Sequence, residues 1–153
     1  MKPLFVLLIS FLSTLLVTKK IHQHFKVDFS ARIALSIMLC FTAIGHFVFT
    51  EGMVMMLPEI LPIKNQIIYL TGVFEIGAAF AIHLPKYRKQ TAWVLILFFI
   101  ALLPANISAA MLNVDYQNAT YTGTGVTYLW FRIPLQILFI LWTYFSGIKW
   151  IKI

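Results

Sequence analysis

Five long stretches of apolar residues, separated by short polar connections, run along the chain. They cover residues 3–18, 31–50, 66–84, 91–112 and 126–147. Each is close to the roughly 20 residues that a helix needs to cross about 30 Å of hydrocarbon. The pattern predicts an all-α integral membrane protein, in which a four-helix transmembrane bundle is preceded by one additional N-terminal transmembrane helix.

The first apolar stretch is the shortest of the five and has two interpretations. Lys2 precedes it, as in a signal peptide, but no small-residue cleavage site follows, and Lys19-Lys20 ends it. These features favour a retained anchor over a cleaved signal. We therefore expect two parts: residues 1–30, an N-terminal transmembrane helix with a basic cytoplasmic loop, and residues 31–153, the four-helix domain with a short basic tail.

Composition supports this division and leaves no room for a further domain. Of 153 residues, 61% are hydrophobic and 11% are charged, and the mean hydropathy is +0.89. A typical soluble domain has about 25% charged residues. The single cysteine, Cys40, lies within an apolar stretch, so the chain has neither an internal disulfide nor a Cys-x-x-Cys redox pair.

The net charge of +7 is distributed in a way that predicts topology rather than nucleic-acid binding. Basic residues are grouped between alternate apolar stretches, as in cytoplasmic loops of membrane proteins, and they do not form one soluble basic face. The pattern places the N-terminus outside and the C-terminus in the cytoplasm. The three basic groups are Lys19, Lys20, Lys26 and Arg32; Lys86, Arg88 and Lys89; and Lys149 with Lys152.

The two connections on the opposite side differ in character. Residues 51–62 are too apolar for a solvated loop, and Pro58 and Pro62 prevent the continuous helix that a membrane span requires. We expect this segment to lie along the outer interface of the membrane. Residues 113–125 have the polar, turn-rich composition of an exposed outer loop.

Polar side chains within the apolar stretches form the candidate site. Ionisable groups at membrane depth are costly and normally face the interior of a bundle. At 1.5 Å per residue, His46, Glu75, Asn106 and Arg132, which lie on four separate stretches, are roughly 6 to 13 Å from the outer ends. One site can therefore hold them. The set comprises His46, Glu75, Asn106, Arg132 and Gln136.

Three interpretations of this polar cluster stay open at the level of sequence. Glu75 and Arg132 can form a structural ion pair, within direct or one-water reach, that requires the third and fifth stretches to be neighbours. The cluster can also line a small-molecule pocket, or form part of a proton or ion path. Pro104 removes a backbone hydrogen bond, so we expect the fourth helix to open just inward of Asn106.

Around these residues the sequence resembles the DoxX and DoxX-like family of small membrane proteins. The resemblance covers about residues 31–147 and rests on Gly45-His46-Phe47, the stretch from Tyr69 to Gly77, Pro104-Ala-Asn106-Ile, and Arg132-Ile-Pro-Leu-Gln136. It implies a four-helix core in a bacterial inner membrane. The family name comes from a subunit associated with thiosulfate:quinone oxidoreduction, and related proteins look like assembly chaperones for membrane receptors. The N-terminal stretch departs from the family pattern.

Two functional hypotheses follow from the cluster and the resemblance together. In the first, the protein is a ligand-binding or accessory subunit for membrane redox chemistry, and His46, Asn106 and Arg132 donate hydrogen bonds to a quinone-like or lipid-like molecule. In the second, it is a non-enzymatic assembly factor or structural partner of another membrane protein, and the polar cluster only fixes helix packing. A small transporter is disfavoured, because the chain has no inverted repeat. No metal set, cofactor motif or catalytic residue is evident, so we do not expect an independent catalyst.

Overall fold

The computed structural model describes residues 2–149, and the regular structure in that range is helical, with no β-strand. The all-helical prediction is confirmed for these residues, whereas the predicted tail residue Lys152 lies outside them. A short 3-10 helix, Gly125–Tyr128, leads into the last α-helix. The α-helices are α1 Lys2–His22, α2 Val27–Val48, α3 Thr50–Met55, α4 Lys64–Ala81, α5 Arg88–Ala101, α6 Leu103–Met111 and α7 Leu129–Gly147.

Four helical segments of the described chain are long and apolar enough to cross a membrane: α1, α2, Arg88–Met111 (α5 with α6) and Gly125–Gly147 (the 3-10 helix with α7). Helix α4 occupies the third predicted span but does not belong to this set. Lys64-Asn65-Gln66 at its start and Glu75 in its middle reduce its apolar character. Composition therefore supports four of the five predicted spans more strongly than the third.

Helix α2 is the central element of the bundle. It packs against α1, α4 and α7, while α5 packs against α7. Leu35, Met38 and Leu39 of α2 are almost completely buried, together with Ile82 and Leu95. Their burial on one side of α2 removes the large apolar side chains from solvent and holds the bundle together.

Alternating helix directions give the bundle two chemically different ends. One end, here called the α3 end, carries α3 and the loop 113–124. The other end, here called the basic end, carries the connection 82–87 and the start of α2. Contacts confirm the grouping: the Phe49 and Tyr116 rings meet at 6.0 Å at the α3 end, and the Arg32 guanidinium reaches the Ser146 carbonyl at the basic end.

Pro104 interrupts the fourth predicted span as expected. The helix ends at Ala101 and resumes at Leu103, with Pro104 in the first turn of α6. Because proline has no N–H, Ile100 loses its usual helical donor at this point. Just after the break, the Asn106 side chain donates from Nδ2 to the Leu102 carbonyl at 2.9 Å, which also accepts the Asn106 backbone N–H.

Arg32 does not belong to the first basic loop, as the charge pattern suggested. Helix α2 already begins at Val27, ahead of the predicted domain boundary at residue 31, and the Arg32 side chain is buried within the bundle. Its Nη2 lies 3.0 Å from the Asp28 carboxylate, one turn earlier. Its Nη1 donates to the Ser146 carbonyl at 3.3 Å. These partners compensate the burial of the charge, which sequence spacing alone did not reveal.

Candidate functional site

His46 and Glu75 form the first half of the candidate site, on the facing surfaces of α2 and α4. His46 Nε2 lies 3.5 Å from Glu75 Oε2, and both side chains are buried. On the other side of the ring, Nδ1 lies 3.0 Å from the Thr71 hydroxyl. Thr71 precedes Glu75 by one helical turn, so both residues of α4 face the same imidazole.

Gly72 permits this close approach of α2 and α4. A Cβ at position 72 would lie 3.0 Å from the His46 Cβ and 3.1 Å from the Phe47 ring. Both distances are short for a carbon contact, so any larger residue would push the helices apart. The small residue is therefore part of what sets the distance between His46 and Glu75.

The hydrogen bonds of Thr71 assign the proton on His46. The Thr71 hydroxyl donates to the Ile68 carbonyl at 2.7 Å, so it accepts from His46 Nδ1–H. In a neutral imidazole the second nitrogen, Nε2, is then an acceptor. Its lone pair faces Glu75, and when that carboxylate is ionised two acceptors oppose each other at 3.5 Å.

Glu75 Oε2 is correspondingly a buried acceptor without a hydrogen-bond donor among the described residues. The Thr42 hydroxyl lies beside the same carboxylate. Thr42, however, is also within hydrogen-bonding distance of the Met38 and Leu39 carbonyls of its own helix. A buried acceptor without a donor is costly, and in native proteins such groups are rare.

Asn106 and Arg132 form the second half of the site, between α6 and α7. Arg132 Nε donates to Asn106 Oδ1 at 3.1 Å. Gln136, one turn after Arg132, donates instead to the backbone carbonyl of Phe99. Gln136 thus ties α7 to α5 and has a partner of its own, while the terminal NH₂ groups of Arg132 make no hydrogen bond to the described residues.

The direct form of the predicted Glu75–Arg132 pairing is wrong, because no ion pair joins these two among the described residues, whereas the one-water form stays a prediction. Glu75 meets His46, and Arg132 meets Asn106, because α4 packs against α2 while α7 packs against α5 and α2. Spans three and five are not the neighbours that the pairing required. The positive charge of Arg132 still acts on the Glu75 carboxylate over a longer distance.

Helix α3 and the loop 113–124 close the α3 end of the bundle over the site. Phe49 contacts Tyr116 edge to face, and Gly52 is buried against the Tyr116 backbone. Burial raises the pKa of the Tyr116 phenol, Tyr128 adds to this, and the Arg132 charge opposes it. Tyr116 is thus close enough to Arg132 for their charges to interact.

Sequence reasoning missed Thr42 and Tyr116 as parts of this region. Thr42 lies one helical turn before His46 on α2, a spacing that places both on one face and was available from the sequence. Tyr116 lies in a loop with no periodic pattern. The close fit of Gly52 against its backbone and the edge-to-face contact with Phe49 position it.

A comparison of the sequence with models of protein families gives one match. A family model described as "Domain of unknown function (DUF8561)" matches residues 35–146. The chain belongs to this family. The DUF8561 region includes all five residues of the predicted cluster and leaves out α1. No curated protein and no solved structure matches the chain.

Proposed function

We propose that the protein is a multi-pass membrane protein that binds a small amphipathic molecule between His46–Glu75 and Asn106–Arg132. The observation that carries the proposal is the buried Glu75 Oε2, which has no hydrogen-bond donor among the described residues and lies 3.5 Å from His46 Nε2. One hydroxyl beside both atoms can donate its single hydrogen to either of them or share it between them. A ligand hydroxyl is therefore the group that fits this half of the site.

The second half of the site prefers an oxygen acceptor. Arg132 is oriented by Asn106 and keeps its terminal NH₂ groups available for a carbonyl, phenolic or phosphoryl oxygen. The favoured ligand therefore carries a hydroxyl donor and a second oxygen on an apolar body. Reduced quinones and hydroxylated lipids share this arrangement, and both are soluble in the membrane.

The protein is proposed to hold such a molecule for a partner rather than to transform it. Its polar groups can bind and orient a ligand, and His46 and Glu75 are suited to accept a hydrogen bond from it. The resemblance to DoxX-like proteins adds support for an accessory role in membrane redox chemistry, with the protein in a bacterial inner membrane. Membership of the DUF8561 family neither supports nor opposes that role.

Four substitutions at the site test ligand binding. We expect His46→Leu, Asn106→Leu and Glu75→Gln to stay folded and to lose about tenfold or more of the co-purified ligand. His46→Leu and Glu75→Gln remove an acceptor for the ligand hydroxyl, and Asn106→Leu removes the group that orients Arg132. Glu75→Gln should keep wild-type stability, because its amide can donate to His46 Nε2. Arg132→Met should lose ligand and some stability. Native mass spectrometry from mild detergent and thermal unfolding measure the two properties.

Gln136→Met is the matched control for these variants. It removes a buried hydrogen bond to Phe99 in the same bundle but no group that faces the opposed acceptors. We expect it to lower thermal stability and to retain ligand. If ligand retention follows stability across all five variants, or if the wild-type protein carries no small molecule, binding at this site is refuted.

Topology gives an independent prediction. Position 88 should be cytoplasmic and position 118 external, because the Lys and Arg excess lies on the side of residues 86–89. Single cysteines at these positions, in a Cys40→Ala background, should react with a membrane-impermeant maleimide from opposite sides. Labelling of both positions from the same side contradicts the proposed insertion.

A specific observation also supports the second hypothesis, an assembly factor for another membrane protein. Helix α1 presents a row of large apolar side chains outward, with Phe5, Ile9, Leu12 and Leu16 each more than half exposed. Such a surface suits a lipid or a partner helix. This role becomes the better explanation if the His46–Glu75 region binds nothing and the bundle co-purifies with a second membrane protein.

A further inference from the structure

Helices α4 and α5 enclose a groove that none of the preceding contacts uses. It has a volume of about 400 Å³. Its walls are apolar along most of its length, and its lining residues are Phe74, Gly77, Ala78, Ala81, Tyr87, Gln90, Thr91 and Val94. The Phe74 and Phe98 rings, 4.8 Å apart, join the two helices near the apolar part of the groove.

Gly77 keeps this groove open. A Cβ at position 77 would meet no atom within 4 Å, in contrast to Gly72 five residues earlier, which is packed against His46. The glycine at position 77 is therefore not required for helix packing within the chain. The space beside it has the width and apolar walls that suit a hydrocarbon chain.

Hydrogen-bond donors cluster at the other end of the groove, toward the basic end of the bundle. Tyr87, Gln90 and Thr91 line it, and none of their side chains hydrogen bonds to another described residue. The Lys86 ammonium lies 5.4 Å from the centre of the Tyr87 ring. A hydroxyl, an amide and an ammonium can all donate to the oxygens of one phosphate.

The charge at this end favours an anion. Lys86 lies in the connection before α5, and Arg88 and Lys89 begin that helix; the described residues provide none of the three with a carboxylate partner within ion-pair distance. Arg88 Nε is buried without a hydrogen-bond partner among the described residues, and its guanidinium is close enough to Arg32 for their charges to repel, which the nearby Asp28 carboxylate offsets in part. A negatively charged group would relieve this excess of positive charge.

We propose that the α4–α5 groove is a binding site for one anionic phospholipid, with an acyl chain beside Gly77 and the phosphate at Lys86, Tyr87 and Thr91. The proposal rests on the proposed membrane insertion but is independent of the ligand at His46–Glu75. The basic end faces the cytoplasm in that topology. Anionic lipids of the cytoplasmic leaflet would therefore present their phosphates at the level of these donors.

Binding of defined lipids to the delipidated full-length protein tests this site. The probes are phosphatidylglycerol and phosphatidylcholine with identical acyl chains, titrated in mild detergent and followed by native mass spectrometry. We expect phosphatidylglycerol to bind at least fivefold more tightly. Lys86→Gln should reduce that affinity about fivefold, since one basic residue near the membrane surface contributes on this scale. It should leave phosphatidylcholine unaffected.

Two matched controls distinguish lipid binding in the groove from nonspecific changes in lipid affinity. Lys20→Gln removes the same charge from an exposed residue of α1, and we expect no change in lipid affinity. Gly77→Leu should reduce binding of both lipids by filling the groove, whereas Gly77→Ala, whose added methyl meets nothing within 4 Å, should retain binding.

Three results would overturn the lipid site: equal affinity for the two lipids, equal effects of Lys86→Gln and Lys20→Gln, or unchanged binding in Gly77→Leu. Displacement of phosphatidylglycerol by inorganic phosphate would instead identify a site for a free anion. Failure of the proposed insertion is recognised separately, by maleimide labelling of positions 88 and 118 from one side. Loss of the other ligand in Asn106→Leu should leave phosphatidylglycerol affinity unchanged.

Discussion

Replacing Arg32 by methionine should destabilise the protein by about 3 kcal/mol, the lower end of the range for breaking a buried ion pair. The substitution removes the cation from the Asp28 carboxylate and the donor from the Ser146 carbonyl. Two features limit the loss. The Asp28 side chain is 23% exposed, and Arg88 lies near enough to stabilise its charge. The free energy of unfolding in mixed micelles of mild and denaturing detergent measures the effect.

Lys20→Met is the control for this prediction, because Lys20 is an exposed residue of α1 that loses the same charge. Its effect should stay within about 0.5 kcal/mol. Asp28→Asn should be milder than Arg32→Met, since the amide still accepts a hydrogen bond from the guanidinium. Equal stability of Arg32→Met and Lys20→Met would show that the buried ion pair contributes nothing.

Introducing a single methyl group at Gly52 should have the second-largest effect, about 2 kcal/mol of destabilisation. A Cβ there would lie 2.0 Å from the Tyr116 carbonyl oxygen, 2.5 Å from its carbonyl carbon and 2.6 Å from its Cα. All three are backbone atoms, so no side-chain rotation relieves the clash, and the loop 113–124 must move away from α3. Overpacking of this kind typically costs about 1–3 kcal/mol.

The same substitution at Gly77 is a control that should change the free energy of unfolding in the opposite direction. Gly77→Ala adds the same methyl to a helix where it meets no atom within 4 Å, and we expect it to stabilise the protein by about 0.5–1 kcal/mol through helix propensity. Limited proteolysis should cut the loop 113–124 faster in Gly52→Ala than in the wild type. Unchanged cleavage together with unchanged stability would contradict the close fit of α3 against Tyr116.

Periodicity and hydrophobicity predicted the helices well, because long apolar runs have few alternatives in structure. The predicted opening of the fourth helix near Pro104 is found at Leu102, since the missing proline N–H is a property of the residue itself. Counting along the helices gave His46, Glu75, Asn106 and Arg132 similar depths, and the structure brings His46 to Glu75 and Asn106 to Arg132. These features depend on local geometry.

Residue counting along the sequence does not show which helices pack against each other. Counting residues gives the depth of Glu75 but not the direction in which α4 faces, and charge alone favoured Arg132 over His46 as its neighbour. The Gly72 contact with His46 decides that direction, and it depends on which helices meet. Arg32 was misassigned for a related reason: a basic residue near a loop is usually solvated, and only the nearby Ser146 carbonyl makes its burial acceptable.

The central position of α2 has a consequence for the order of assembly during synthesis. Both α1 and α4 pack against α2, so the first half of the chain can dock largely on itself before α5 leaves the ribosome. Helix α7 follows both in the chain and packs against α5 and α2. The two halves of the candidate site can therefore form one after the other, because His46 can meet Glu75 before Arg132 is synthesised.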